Sequence, residues 1–257
     1  MKKEIRQISD DGKTVQITIC DERWYVKTET DDKGKVLSIK EYPSVTWITG
    51  YTPMGIGFYK WLASKGWDEA ERIKTAAGTK GSKVHLAISD LLLGNDVKMD
   101  AQYPNKETGQ MEELTLEEYE CLMSFAEWYE ETKPKTIQNE LAVFSEEHRY
   151  AGTADYICEI AGVRWLIDFK TGADIYASYE AQLAAYAKAL PDELKPEKMA
   201  VLQLGYKRNK TKKWKFTEIT NDFDLFLAAK KFWSKETDTV EIFQKDYPVS
   251  LSLSSPS

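Results

Sequence analysis

The stretch Gly152-Thr153-Ala154-Asp155-Tyr156-Ile157-Cys158-Glu159-Ile160-Ala161-Gly162-Val163-Arg164-Trp165-Leu166-Ile167-Asp168-Phe169-Lys170 decides how this chain is read. Two runs rich in β-branched and aromatic residues flank Ala161-Gly162. A short loop with glycine in second place predicts a hairpin. With Ala161-Gly162 as the loop, Ile160 faces Val163, Glu159 faces Arg164 in a predicted ion pair, and Asp155 falls opposite Asp168. Directly opposed residues share a face, with Cβ atoms about 4.5–5.5 Å apart. Lys170 lies two residues beyond Asp168 and shares that face, while Ile167 and Phe169 point the other way, into the core.

Two opposed carboxylates repel each other unless a cation lies between them or one is protonated. An oxygen-rich site of this kind suits Mg²⁺ or Mn²⁺. The adjacent lysine can orient or deprotonate a water, or neutralise charge in a transition state. Metal, water and lysine on one surface fit phosphodiester hydrolysis. The plainer alternative places Asp155 in a loop and Asp168 and Lys170 on a solvent-facing strand edge.

Outward from the hairpin, the pattern predicts a mixed α+β chain. Toward the N-terminus, Thr14–Asp21, Arg23–Thr28 and Val36–Lys40 read as strands, with a turn at Asp32-Lys33-Gly34. Phe58–Lys65 and Trp67–Ala77 read as helices, Gly78 and Gly81 as an interruption, and Ser82–Leu93 as a further helix ended by Gly94-Asn95. Residues 95–113 read as a loop. Thr115 with Glu118 forms a capping-box pattern before a helix to Thr132, stopped by Pro134. Thr136–Ser145 is a strand leading into the hairpin. Tyr176–Leu190 is a helix, Lys198–Tyr206 and Trp214–Ile219 are strands, and Asn221–Lys235 is a helix with Asn221 as its N-cap. A single domain over 1–257 is expected, with a β-rich extension over about 1–42 and a loose serine-rich tail over about 248–257.

Four elements in order carry a resemblance. Gly78-Thr79-Lys80-Gly81-Ser82-Lys83-Val84-His85, Gly152-Thr153-Ala154-Asp155, Asp168-Phe169-Lys170 before Thr171-Gly172, and Gln182-Leu183-Ala184-Ala185-Tyr186 resemble the motifs of the PD-(D/E)XK nuclease superfamily, in its RecB-like exonuclease branch. The resemblance spans about residues 43–220. It implies a restriction-endonuclease-like fold, with a central mixed β-sheet flanked by helices. It implies metal ligation by His85, Asp155, Asp168 and the Phe169 carbonyl, and a water positioned by Lys170. Gln182 and Tyr186 would steady the active-site face and touch nucleic acid. Glu140, on the preceding strand, would be a second-metal ligand or a residue that only polarises the site. For His85 to reach the two aspartates, its helix is expected to pack over their strand face, leaving a covered passage for a single strand with a free end.

Composition sets the remaining bounds. The 35 Lys and Arg against 42 Asp and Glu give a net charge of −7, which argues against non-specific coating of nucleic acid. A local basic turn with Lys207, Arg208, Lys210, Lys212 and Lys213, between Tyr206 and Trp214, is a candidate DNA contact; its alternative is a solvated hairpin tip. No apolar run approaches the roughly 20 residues of a membrane span. Cys20, Cys121 and Cys158 are isolated, which suits a reducing cytoplasm and cannot supply the four cysteines of the iron–sulfur cluster carried by some relatives. No Walker-type phosphate loop is present. The expectation is therefore a divalent-metal DNA exonuclease of phage or bacterial recombination, repair or degradation. Its alternatives are a structure-specific endonuclease on the same core and a catalytically silent DNA-binding module.

Overall fold

A computed structural model describes residues 3–19, 22–209, 211–237 and 252–253. The chain runs β1 (Lys3–Gln7), β2 (Thr14–Ile19), β3 (Glu22–Thr30), β4 (Val36–Pro43), α1 (Val45–Thr49), α2 (Ile56–Lys65), α3 (Trp67–Leu92), β5 (Gln102–Pro104), β6 (Met111–Glu113), α4 (Leu116–Thr132), β7 (Lys135–Ser145), β8 (Tyr150–Ile160), β9 (Val163–Lys170), α5 (Ala177–Ala189), β10 (Lys198–Leu204), β11 (Trp214–Ile219) and α6 (Phe223–Thr237). It is of mixed α+β class. The expected tail over 248–257 lies outside the described residues except for 252–253.

The central sheet has the order β11-β10-β9-β8-β7. Only β9 and β10 pair in parallel, and α5 supplies the crossover that a parallel pair requires. Helices α1, α5 and α6 cover one face, where Leu183, Phe226 and Trp233 join Ile157, Leu166 and Val201. Helices α3 and α4 cover the other, where Val84, Ile88, Phe125 and Trp128 meet Tyr156, Ile167 and Phe169.

The β8–β9 hairpin has the register read from sequence, from Ile160 opposite Val163 to Tyr156 opposite Ile167. Ala161 and Gly162 both have positive φ, at 52° and 81°, as a two-residue turn of the mirror-image type demands. One step further along the same register lie Asp155 and Asp168. Glu159 does stand opposite Arg164, but the expected ion pair is not formed. Arg164 instead donates to the carbonyls of Glu193 and Lys195, around the short 3₁₀ turn before β10.

Three expectations are corrected. Helix α3 is one helix of 26 residues that passes through Gly78 and Gly81. Each helical glycine costs about 1 kcal/mol relative to alanine. Burial of Val84, Ala87 and Ile88, and the buried Lys83–Glu118 ion pair at 3.0 Å, outweigh that. The supposed loop over 95–113 holds the small β5–β6 hairpin, anchored by buried Tyr103. At the start of α6 it is Asp222, not Asn221, whose carboxylate accepts from the Leu225 N–H. The capping box at Thr115 and Glu118 is present as read.

The N-terminal residues form a separate antiparallel sheet of order β1-β2-β3-β4. One of its faces is apolar: Ile17, Ile19, Trp24 and Val26 pack with Trp47 of α1. The ring of Trp47 bridges Trp24 and Trp233, at centroid distances of 5.4 and 5.1 Å. On the opposite face, the Tyr25 hydroxyl lies 2.9 Å from Thr153 Oγ1, which ties this sheet to β8. The extension is thus bonded to the strand that carries Asp155.

Gly152 is the tightest point of β8. A Cβ there would collide with Cε1 of buried Tyr186 and stand 3.2 Å from its Cζ. Gly152→Ala is therefore expected to cost about 1–3 kcal/mol by overpacking. For a chain of this size each kcal/mol lowers the melting temperature by roughly 2–4 °C. Circular-dichroism melts check this, and Gly152→Ala with Tyr186→Leu should recover part of the loss. An unchanged melt for the single variant would mean that the ring moves aside freely.

Candidate functional site

A cleft of about 710 Å³ opens between the two sheets. Its walls are the polar face of β1–β3, helix α3, the β5–β6 turn, the ends of β8 and β9, and α5. His85, Glu140, Asp155, Asp168, Phe169, Lys170, Gln182 and Tyr186 all line it. Every residue the sequence proposed for catalysis or metal binding therefore reaches one cavity.

Helix α3 does not pack over the carboxylate face as expected. Its apolar side lies on the face of Ile167 and Phe169, whereas Asp168 faces α5. His85 instead meets the backbone at the end of β9, where its Nε2 is 2.9 Å from the Phe169 carbonyl oxygen. A carbonyl only accepts, so Nε2 carries the proton of that bond. Nδ1 is 3.5 Å from Asp155 Oδ2 and 4.0 Å from Glu140 Oε1. His85, Glu140 and Asp155 each place a ligand atom within 4.8 Å of the others.

Asp168 is held apart from that trio. Its Oδ1 accepts from Gln182 Nε2 at 2.7 Å, and its Oδ2 lies 2.6 Å from Lys170 Nζ. The second contact is a close, charge-assisted pair. Gln182 also donates to the Tyr186 hydroxyl at 3.2 Å. Asp155 Oδ2 accepts from the Phe169 N–H at 2.9 Å. Two neighbouring carboxylates are thus each fixed by separate donors. The Lys170 ammonium also sits 4.7 Å from the Tyr179 ring centre.

Electrostatics follow from this crowding. Burial raises the Asp168 carboxyl, and the charge of Asp155 adds to it against the pull of Lys170, so it is pushed up to about 6. Burial would raise Asp155 too, but the charge and hydrogen bond of His85 hold it below the ordinary value. Burial depresses the His85 imidazolium, yet Asp155 more than reverses this and pushes it up to about 9. Glu140 is pushed up to about 7, by burial first and the Asp155 charge second. Burial likewise opposes the charged form of Lys170, but Asp168 and Asp155 raise it above its usual value, so it stays an ammonium ion at neutral pH.

The donor set fits a divalent cation. Two carboxylates gather at Nδ1 of the protonated His85 ring, and the Phe169 carbonyl lies at its Nε2. Oxygen ligands with one imidazole suit Mn²⁺ and Mg²⁺. Glu140 adds a sign of its own: it has φ of 51° inside β7, a left-handed conformation that costs a non-glycine residue about 1–3 kcal/mol.

The basic turn lies elsewhere. Lys207 pairs with Glu117, Arg208 with Asp174 and Lys212 with Glu131, and none of them lines the cleft. Lys213 is exposed, and Lys210 lies outside the described residues. Sequence reasoning missed instead Arg6, Arg23 and Lys106, which do line it. The only signal for the two arginines was strand alternation: each flanks an apolar residue, Ile5 or Trp24, that points to the opposite face. Among the described residues, no helix is long and apolar enough to cross a membrane. Comparison with models of known protein families finds no match, and comparison with curated proteins finds none either.

A cation bound by His85, Glu140 and Asp155 must displace the protons held by His85, pushed up to about 9, and Glu140, pushed up to about 7. Binding therefore releases protons, and affinity for Mn²⁺ rises with pH across that interval. Calorimetric titration with Mn²⁺ in buffers of different ionisation enthalpy reads both quantities. His85→Ala should flatten the profile; a wild-type affinity independent of pH would remove His85 from the ligand set.

Proposed function

We propose that this chain is a divalent-metal-dependent deoxyribonuclease that degrades DNA from a free end, on a restriction-endonuclease-like core of the PD-(D/E)XK type and its RecB-like branch. One observation supports this most: His85 of α3, Glu140 of β7, Asp155 of β8 and the Phe169 carbonyl of β9 converge in one cleft beside the Asp168–Lys170 pair. Three consecutive strands and one helix distant in sequence bring these residues together.

When bound, Mg²⁺ or Mn²⁺ supplies Lewis-acid polarisation of the phosphate and lowers the pKa of a water. The protein's own residues divide the rest. Asp155 and Glu140 hold negative charge toward the cation, and His85 adds a neutral nitrogen once it has lost its proton. Lys170 stays protonated, so it acts as a donor that holds the attacking water and offsets charge on the phosphorane, not as the base. Gln182 and Tyr186 keep Asp168 in place. In the reaction, water oxygen bonds to phosphorus and gives up a proton to solvent, the bond to the leaving sugar oxygen breaks, and that oxygen takes up a proton from solvent. A cleft walled by both sheets and α3 favours a single strand over an intact duplex. The setting this reading fits is DNA recombination, repair or degradation in the cytoplasm of a bacterium, or of one infected by a phage.

The test is a digestion time course on end-labelled single- and double-stranded linear DNA with Mg²⁺ or Mn²⁺. Linear DNA should shorten progressively and closed circles should survive at equal enzyme. Asp168→Asn should nearly abolish cleavage. Lys170→Gln, which keeps an N–H donor beside Asp168, should lower turnover more than tenfold, about 1.4 kcal/mol of barrier, with Mn²⁺ affinity retained. Rapid linearisation of a closed single-stranded circle would promote an endonuclease. Absence of any metal-dependent cleavage would leave a binding module.

A further inference from the structure

The polar face of the N-terminal sheet is turned toward the cleft. Register builds that face in two adjacent rows. Arg6 stands opposite Gln16, and Gln16 opposite Tyr25; Glu4 stands opposite Thr18, and Thr18 opposite Arg23. All six side chains line the cleft, while the reverse face is the apolar layer against Trp47. Lys106 joins them from the turn between β5 and β6. Among the described residues, Arg6, Arg23 and Lys106 have no ion-pair partner, and the Arg23 guanidinium donates to Thr46 Oγ1 at 3.4 Å. The basic turn after β10 is the opposite case, since three of its cations are already paired with acids.

We propose that Arg6, Arg23 and Lys106 form a phosphate subsite that grips the backbone of the bound strand. The inference rests on the nuclease reading and adds to it a second point of attachment, on elements distinct from those that carry the carboxylates. Guanidinium groups match phosphate oxygens with paired donors, which suits a strand backbone better than a carboxylate or a neutral sugar. Gln16 and Thr18 stand between the two arginine positions as neutral hydrogen-bonding groups. The like charges of Arg23 and Arg6, after burial, depress the Lys106 ammonium, so the three cations share one field that an anion relieves. Glu4 shares the sheet face, and Glu140 lies within range of the field. The subsite is held in a fixed place because Tyr25 accepts from Gln16 at 2.8 Å and contacts Thr153, two residues before Asp155.

The experiment measures binding of fluorescein-labelled oligo(dT) to the full chain in EDTA, by anisotropy, across a salt series. Arg6→Gln with Arg23→Gln should weaken binding at least tenfold. It should also make the slope of log K against log salt shallower by about 1.4, from two single-strand phosphates at roughly 0.7 each. Lys106→Gln, in the turn between β5 and β6, should act in the same direction alone. Lys207→Gln with Lys212→Gln should stay within twofold of wild type. Mn²⁺ affinity and melting temperature should be unchanged in all of them. If wild-type protein cleaves DNA but the arginine variant binds with the same affinity and slope, the subsite is wrong and the nuclease reading stands. If binding depends on the arginines but metal never brings cleavage, the nuclease reading is wrong and the subsite stands. If wild-type protein does not bind the strand, both fall.

Discussion

Asp168 is 1% exposed, and a carboxylate taken that far from water must be compensated by charge and hydrogen bonds. The surrounding structure can be traced outward from this requirement. Lys170 supplies the charge and Gln182 the hydrogen bond. Gln182 is in turn bonded to Tyr186, whose ring occupies the space beside Gly152. Asp155, the neighbouring acid, cannot draw on the same donors and takes the Phe169 N–H and the His85 ring instead. Two buried acids with separate sets of partners can stay close together without a bound ion. Removing either set would leave an uncompensated buried charge, a more serious loss than the net worth of a surface pair.

The helices on the two sides of the sheet have different tasks in this arrangement. From one face α5 fixes Asp168 by hydrogen bonding. From the other α3 delivers His85 to a backbone carbonyl at the strand end, not to a strand face. A single histidine can then face two carboxylates and a carbonyl while its helix stays anchored in the core through Val84, Ala87 and Ile88. The core contacts and His85 are on different sides of the same helix.

What could be read from the sequence was local or periodic. The β8–β9 hairpin was legible because a period of two and a two-residue loop leave one register, and the capping box because it is a four-residue pattern. The unbroken course of α3 was not, since helix propensity at Gly78 and Gly81 is overridden by tertiary packing. Strands β1, β5 and β6 were invisible because they are short and polar and owe their pairing to neighbours. The site residues Asp155, Asp168 and Lys170 followed from register, but His85, Gln182 and Tyr186 were reached through motif resemblance. The polar sheet face with Arg6 and Arg23 could not be distinguished from an ordinary solvated strand face. The left-handed backbone at Glu140 leaves no trace in residue type at all.

The close approach of the Gly152 backbone to the Tyr186 ring also bears on how such a frame can diverge. The two positions share one volume, so the glycine cannot grow while the ring keeps its size. A lineage could give up the glycine only after the ring had shrunk, and would then lose the hydroxyl that Gln182 holds. Drift through such an intermediate would loosen the support of Asp168 before anything replaced it. A larger residue at 152 should therefore be found only beside a smaller one at 186, and such a pair would mark a chain in which Asp168 had lost that support.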